Sequence, residues 1–332
     1  MASISEGLRS IEDTQNTISG DFVKKDKYDL SLVLRKGEFS IIRLCQDKNK
    51  TERIIKFVDE ESYKAEMELT EHHIKTIRSM FDYEEDIKKF NRFNNIIDHG
   101  YLEGTKSLCI VYEKLGENLN EIRIKYKECK MDKFDALVIL HDSLSIINYL
   151  HSIGYVHRSI KPSTFCHRYN SKISKDYRPI VMTNFETCCK IVDKKESKFC
   201  PKRITSFGGK NIKYCSISQH EKEKIYFPSD DIESWFYIGV LLFEGTLPWF
   251  KEKTNKDKDI INGKKKLRNT EDEIYYDKTP DFFRNYCDYF TKGSEEIDCS
   301  VICHEMMQMI HKFSRCKVSR TDLYTDERSY IP

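Results

Sequence analysis

The stretch that most limits what this chain can become runs from Asp231 to Phe250, DIESWFYIGVLLFEGTLPWF, because its apolar side chains occupy nearly every face of a helix instead of one stripe. A helix of that kind has no broad face to offer water. It predicts the buried axis of a substantial helical half, and 332 residues are enough to enclose it. No run approaches the roughly 18 apolar residues that mark a membrane span.

A second helix is expected upstream. FDALVILHDSLSIINYLHSIG sets Leu137, Leu140, Leu144, Ile147 and Leu150 on one face, and Gly154 follows where a left-handed cap is favoured. The N-terminal part has a different period. YDLSLVLRKG and FSIIRLCQD flank a glycine turn, RIIKFV follows a polar turn, and NIIDHGYL and SLCIVYEKL complete five short strand-like runs. A helix-prone segment from about Glu61 to Arg78 interrupts them. The expectation is an α+β, bilobal chain: a β-rich small lobe at about 27–115 with one helix, a larger mainly helical lobe at about 116–315, a flexible tail at 1–26 and an extension at 316–332. The lysine-rich KEKTNKDKDIINGKKKLRN reads as a solvated surface segment.

Charge excludes some roles. The 56 Lys+Arg residues nearly cancel the 54 Asp+Glu, so bulk electrostatics favours neither nucleic acid nor an anionic membrane as partner. The twelve cysteines show no paired Cys-x-x-Cys spacing, and MASISEGLRSIEDTQ lacks an apolar signal-peptide core. An intracellular protein, cytoplasmic or nuclear, with free thiols is expected. Cys299, Cys303 and His304 stand at helical spacing but read as packing, and no metal ligand set is assigned.

The order of these motifs resembles a eukaryotic protein kinase domain. FGGKNIKYCSISQH followed by SDDIESWFYIGVLLFEGTLPWFK is similar to the casein kinase 1 family, nearest its tau-tubulin kinase-like branch. The resemblance covers about Tyr28 to at least Asp288. It implies a Ser/Thr protein kinase architecture with ATP as cofactor, and each part of the implied machinery has a place in this sequence. Of the glycine-rich loop only Gly37 remains, with Arg35 and Ser40 at the other glycine positions. Lys56 takes the place of the strand lysine that holds the first phosphates. Glu68 is its expected helix partner, and Glu66 is the alternative.

Leu34, Ile42, Ile54 and Cys166 correspond to adenine-pocket positions, and fit either a nucleotide or packing upon one another. Ile54 replaces a customary alanine, and the large Tyr112 stands before the hinge segment Glu113 to Leu115, so the slot is expected to be narrow. At the catalytic end, in YVHRSIKPSTF, the resemblance aligns Ser159 with the aspartate that accepts the substrate proton and Thr164 with a metal-binding asparagine. Lys161 is kept, and Asn184 in MTNFET stands for the aspartate that binds the bridging metal. A serine has no basic form near neutral pH, and a neutral amide is a poor substitute for a carboxylate on magnesium. Magnesium binding is expected to be weak or absent, and rescue by Glu186 requires a rearranged loop.

Structural positions survive: His157, Arg158, Lys161-Pro162, Phe165, Phe185, Asp231 and Leu247-Pro248-Trp249. Scaffold kept with chemistry replaced is the pattern of a pseudokinase, a fold that binds other proteins, such as an active kinase, instead of transferring phosphate. Lys202, Arg203, Lys210 and Lys213 form a basic patch suited to an acidic or phosphorylated peptide.

Overall fold

The structure, a computed structural model, describes residues 22–36, 40–81, 83, 91–168, 179–191, 212–220, 226–250, 257–268, 276–291 and 297–315. Gly37, Lys202, Arg203 and Lys210 lie outside that set. The chain divides into two compact units between Leu115 and Gly116.

The first unit is a sheet with one long helix. Its strands are β1 (Phe22–Val23), β2 (Tyr28–Lys36), β3 (Ser40–Asp47), β4 (Glu52–Val58), β5 (Ile96–Leu102) and β6 (Leu108–Glu113), in the order β1-β5-β6-β4-β3-β2. The five expected strands pair antiparallel, whereas β1 adds a short parallel edge beside β5. Residues 22–26 were expected in the flexible tail, but Val23 is fully buried with Tyr28, Cys45, Ile55, Leu102, Cys109 and Val111, and this apolar anchoring orders the segment. Between β4 and β5 runs α1 (Glu60–Met80), started by Asp59, whose carboxylate accepts the Ser62 backbone N–H at 2.8 Å.

The second unit is mainly helical. Its helices are α2 (Leu119–Arg123), α3 (Lys133–Ser152), α4 (Ile217–His220), α5 (Pro228–Glu244), α6 (Asp257–Arg268), α7 (Asp281–Arg284), α8 (Cys287–Thr291) and α9 (Cys299–Arg315). Two small strand pairs carry the loops that matter here: β7 (Tyr155–Val156) with β10 (Cys189–Lys190), and β8 (Phe165–His167) with β9 (Ile180–Met182). All five α3 residues expected on its buried face, Leu137 through Leu150, are fully enclosed. Gly154 takes the left-handed conformation after that helix, at φ 84°.

α5 is the enclosed axis, with every residue from Asp230 to Phe243 buried. Gly239 lies inside it for a packing reason. A Cβ there would stand 2.1 Å from the Phe283 ring, which stacks parallel to Phe236 at 5.4 Å. Gly245 ends the helix at φ 75°, a conformation that other residues adopt only with strain.

The lysine-rich segment departs from expectation, because residues 257–268 form α6 and one lysine turns inward. Ile260, Lys264 and Leu267 share a buried stripe. The fully buried Lys264 ammonium donates to Ile212 O at 3.0 Å, to Cys215 O at 2.6 Å and to His220 Nε2 at 2.8 Å. Its three donors thus meet three acceptors, which makes burial of the charge tolerable. At the end of α6, Arg268 pairs with the buried Glu233 of α5. Nine of the described cysteines are free thiols, while Cys189 is disulfide-bonded, an exception to the free-thiol expectation.

Candidate functional site

Strand alternation explains the first group of candidate residues. Along β4, Ile55 and Phe57 pack into one apolar cluster, while Ile54 and Val58 pack into the other with Tyr63, Leu108, Ile110 and Tyr112. Lys56 shares the face of Ile54 and Val58 and is 2% exposed. Its ammonium is 3.0 Å from Glu66 Oε2, and the Tyr112 hydroxyl donates to Glu66 Oε1 at 2.5 Å. Glu66 is therefore the partner of Lys56, and the preference for Glu68 is corrected. Two residues along a helix is a turn of about 200°, so the two glutamates project from opposite sides. Glu66 falls on the buried stripe with Tyr63, Leu69, His73 and Ile77, while Glu68 is exposed.

The other candidates of this unit differ in setting. Ile54 lies directly across from Tyr112 and packs on its cluster, so its side chain is engaged in the core. Ile42 is half-buried opposite Arg35. Leu34 stands 53% exposed on the edge strand β2. Glu113 is fixed by Asn95, whose side-chain amide donates to its carboxylate at 3.0 Å and whose carbonyl accepts its backbone N–H at 3.1 Å. Leu115 closes the unit and is half-buried.

The second group lies in the helical unit, on the loop after β7 and on the turn after β9. Asp231, fully buried at the start of α5, accepts the backbone N–H groups of His157 at 2.7 Å and Arg158 at 2.9 Å. The Tyr226 hydroxyl at 2.7 Å and His151 Nε2 at 3.0 Å also reach it, two partners that sequence reasoning missed. Burial opposes ionisation of Asp231, but the His151 hydrogen bond and charge and the loop amides outweigh it and hold the carboxyl below its usual range. His157 is engaged on both ring nitrogens: Nε2 donates to Thr183 O at 3.1 Å and Nδ1 accepts the Ser159 N–H at 3.2 Å. Burial holds its pKa down to about 4, so the ring is neutral. Phe185 packs 5.8 Å from it, centroid to centroid.

Within that frame the three replaced positions are brought together through a neutral network. The Thr164 hydroxyl, fully buried, donates to Ser159 O at 2.9 Å. Thr164 O in turn accepts the Thr183 N–H at 2.9 Å and the Thr183 hydroxyl at 3.1 Å. Asn184 takes a left-handed conformation, φ 66° and ψ 53°, which asparagine tolerates better than most residues, and its amide points to Ser163 O at 3.5 Å. Lys161 precedes the turn Pro162–Thr164 and is half-buried. Among the described residues no three His, Cys, Asp or Glu side chains gather as a metal site. Cys299 is buried, and Cys303 lies 3.8 Å from the Ser145 hydroxyl of α3. Lys213, the described member of the basic patch, stands over the Phe250 ring at 4.8 Å.

The fold and these two groups define a protein-kinase-like α+β chain: an antiparallel sheet with one helix whose lysine and glutamate pair, and a helical unit whose loop is hung from an aspartate on a buried axis. Its relatives are serine/threonine protein kinases. The chain is 33% identical over 141 residues to the serine/threonine-protein kinase spe-6 of Caenorhabditis elegans, covering 42% of this chain and 35% of that protein. A Dictyostelium discoideum protein named as a serine/threonine-protein kinase is 33% identical over 174 residues, 52% of this chain and 33% of the relative. A casein kinase I-like protein of C. elegans is 30% identical over 164 residues, 48% of this chain and 45% of the relative. The chain thus spans between a third and a half of the length of these curated relatives. No family profile matches it. No helix among the described residues is long and apolar enough to cross a membrane.

Proposed function

We propose that the chain is a catalytically impaired, casein kinase 1-like pseudokinase that works by binding other proteins, as a scaffold or as an allosteric regulator of an active kinase in intracellular signalling. The observation that carries this reading is the joint replacement at Ser159, Thr164 and Asn184, with the Thr164 hydroxyl committed to Ser159 O. No carboxylate stands at the base position or at either metal position. Loss of a general base alone costs about 10² to 10⁴ in rate, and hard magnesium favours charged oxygen ligands. The intact anchoring of the loop by Asp231 supports a retained shape, which is what a binding function requires. The basic residues Lys202, Arg203, Lys210 and Lys213 suit an acidic or phosphorylated peptide of the partner.

One observation favours a second reading, a weakly active Ser/Thr protein kinase transferring the γ-phosphate of ATP with an atypical metal arrangement. The Lys56–Glu66 pair is fully assembled. Restoring the acids together, as Ser159→Asp, Thr164→Asn and Asn184→Asp, separates the possibilities. If only the chemistry is missing, the triple variant phosphorylates a generic acidic substrate and the parent does not. If the parent transfers phosphate as well as the triple variant does, the pseudokinase reading is wrong. Calorimetry with ATP and magnesium or manganese decides the second reading, which ends if millimolar nucleotide gives no binding heat.

A further inference from the structure

In the first unit, buried polar groups from three different elements meet at one carboxylate. Lys56 on β4 is 2% exposed, Glu66 on α1 is 1% exposed and Tyr112 on β6 is 5% exposed. The two oxygens of the Glu66 carboxylate are divided between them, Oε2 to the ammonium at 3.0 Å and Oε1 to the tyrosine hydroxyl at 2.5 Å. A hydroxyl donating to a buried carboxylate makes a charge-assisted bond, stronger than one between neutral groups. The ring that carries the hydroxyl is itself fixed. Tyr112 lies across from Ile54 on one side and Ile96 on the other, and packs with Val58, Tyr63, Leu108 and Ile110. Two of the groups around it, Tyr63 and Met67, come from α1, so the same helix is held by apolar contact and by the carboxylate.

A lysine–glutamate pair joined by one hydrogen bond can part by rotation of the glutamate. A carboxylate gripped at both oxygens, from two strands of one sheet, cannot turn without breaking a second buried, charge-assisted bond. We infer that Tyr112 is a positioning residue: it clamps Glu66, and through Glu66 fixes Lys56, so that helix and sheet stay engaged. The inference concerns this unit alone and holds whether or not the chain transfers phosphate.

The test uses the full chain without nucleotide and Tyr112→Phe, which keeps the ring and deletes the hydroxyl. Acylation of Lys56 by a small amine-reactive ester, followed by peptide mass spectrometry, reads how often the pair opens. Hydrogen exchange of the Glu60–Met80 amides reads the helix. The expected result is a rise of about tenfold in both, with the amides of Tyr28–Asp47 unchanged. In a Glu66→Gln background, where the charge that pairs with Lys56 is already gone, Tyr112→Phe should add less than about twofold to Lys56 acylation, because the tyrosine acts through the glutamate. The inference is overturned if Tyr112→Phe leaves Lys56 acylation at the parental rate. It is equally overturned if exchange accelerates evenly across the unit, or if the effect is undiminished in Glu66→Gln.

Discussion

The sheet unit and the loop after β7 in the helical unit keep opposite kinds of polar chemistry. In the sheet unit, charge is retained in the interior: Lys56 and Glu66 are both buried, and Tyr112 completes the set. On the loop of the helical unit, the positions where kinase chemistry requires charge hold Ser159, Thr164 and Asn184, and the Thr164 hydroxyl and Asn184 amide run to the neighbouring carbonyls of Ser159 and Ser163. The difference cannot be general decay, because the same helical unit preserves the Asp231 carboxylate with four donors around it. On the proposed reading, charge stands where it holds elements together and is replaced where it would hold metal and proton.

If that contrast is right, variants should divide by what each group supports. The largest effects belong to the buried charges. Asp231→Ala strips the acceptor from four donors, and Lys56→Ala leaves Glu66 without its cation. Each should destabilise by about 3 to 5 kcal/mol in denaturant unfolding. Equal, small losses for both would break the structural half of the contrast. Thr164→Val is intermediate, since it removes a buried hydroxyl whose one role seen here is to cap Ser159 O, and should cost about 1 to 3 kcal/mol.

Acid supplies a graded test. His157 and His73 are held by burial at about 4 and His220 at about 3, all below the ordinary 6.5. Groups with depressed folded-state values contribute stability that is complete above 6.5 and declines as pH falls toward 4 and below. The thermal midpoint should therefore fall through that interval, and a flat profile between 6.5 and 4 would contradict neutral burial. The smallest effect belongs to Ser159→Ala, whose half-exposed side chain should change stability by less than about 0.5 kcal/mol.

Much of this was legible in the sequence, and the misses share a cause. The alternation of β4, the buried face of α3 and the all-round apolar α5 follow from periodicity, because burial of a regular element leaves a regular trace. Choosing between Glu66 and Glu68 required the phase of α1, and that phase was available. Tyr63, Leu69, His73 and Ile77 mark the buried stripe, and Glu66 falls on it. Lys264 had a comparable trace, flanked at helical spacing by Ile260 and Leu267, but the surrounding lysines concealed one inward cation among outward ones. The bond to Asp231 from His151 and the hydroxyl of Tyr112 on Glu66 join residues distant in sequence, and the bond from Tyr226 reaches Asp231 from ahead of α5, outside the helix, so none of them leaves a periodic mark. Val23 is a single apolar contact at the edge of a polar segment, too short for any period to register.

Phosphate transfer tests whether metal and proton handling has left a loop that Asp231 still anchors. Purified chain, γ-labelled ATP, magnesium or manganese and an acidic protein substrate suffice, with Lys56→Ala as control. Incorporation should be no higher than in the control. Metal-dependent incorporation that Lys56→Ala abolishes would contradict the pseudokinase reading.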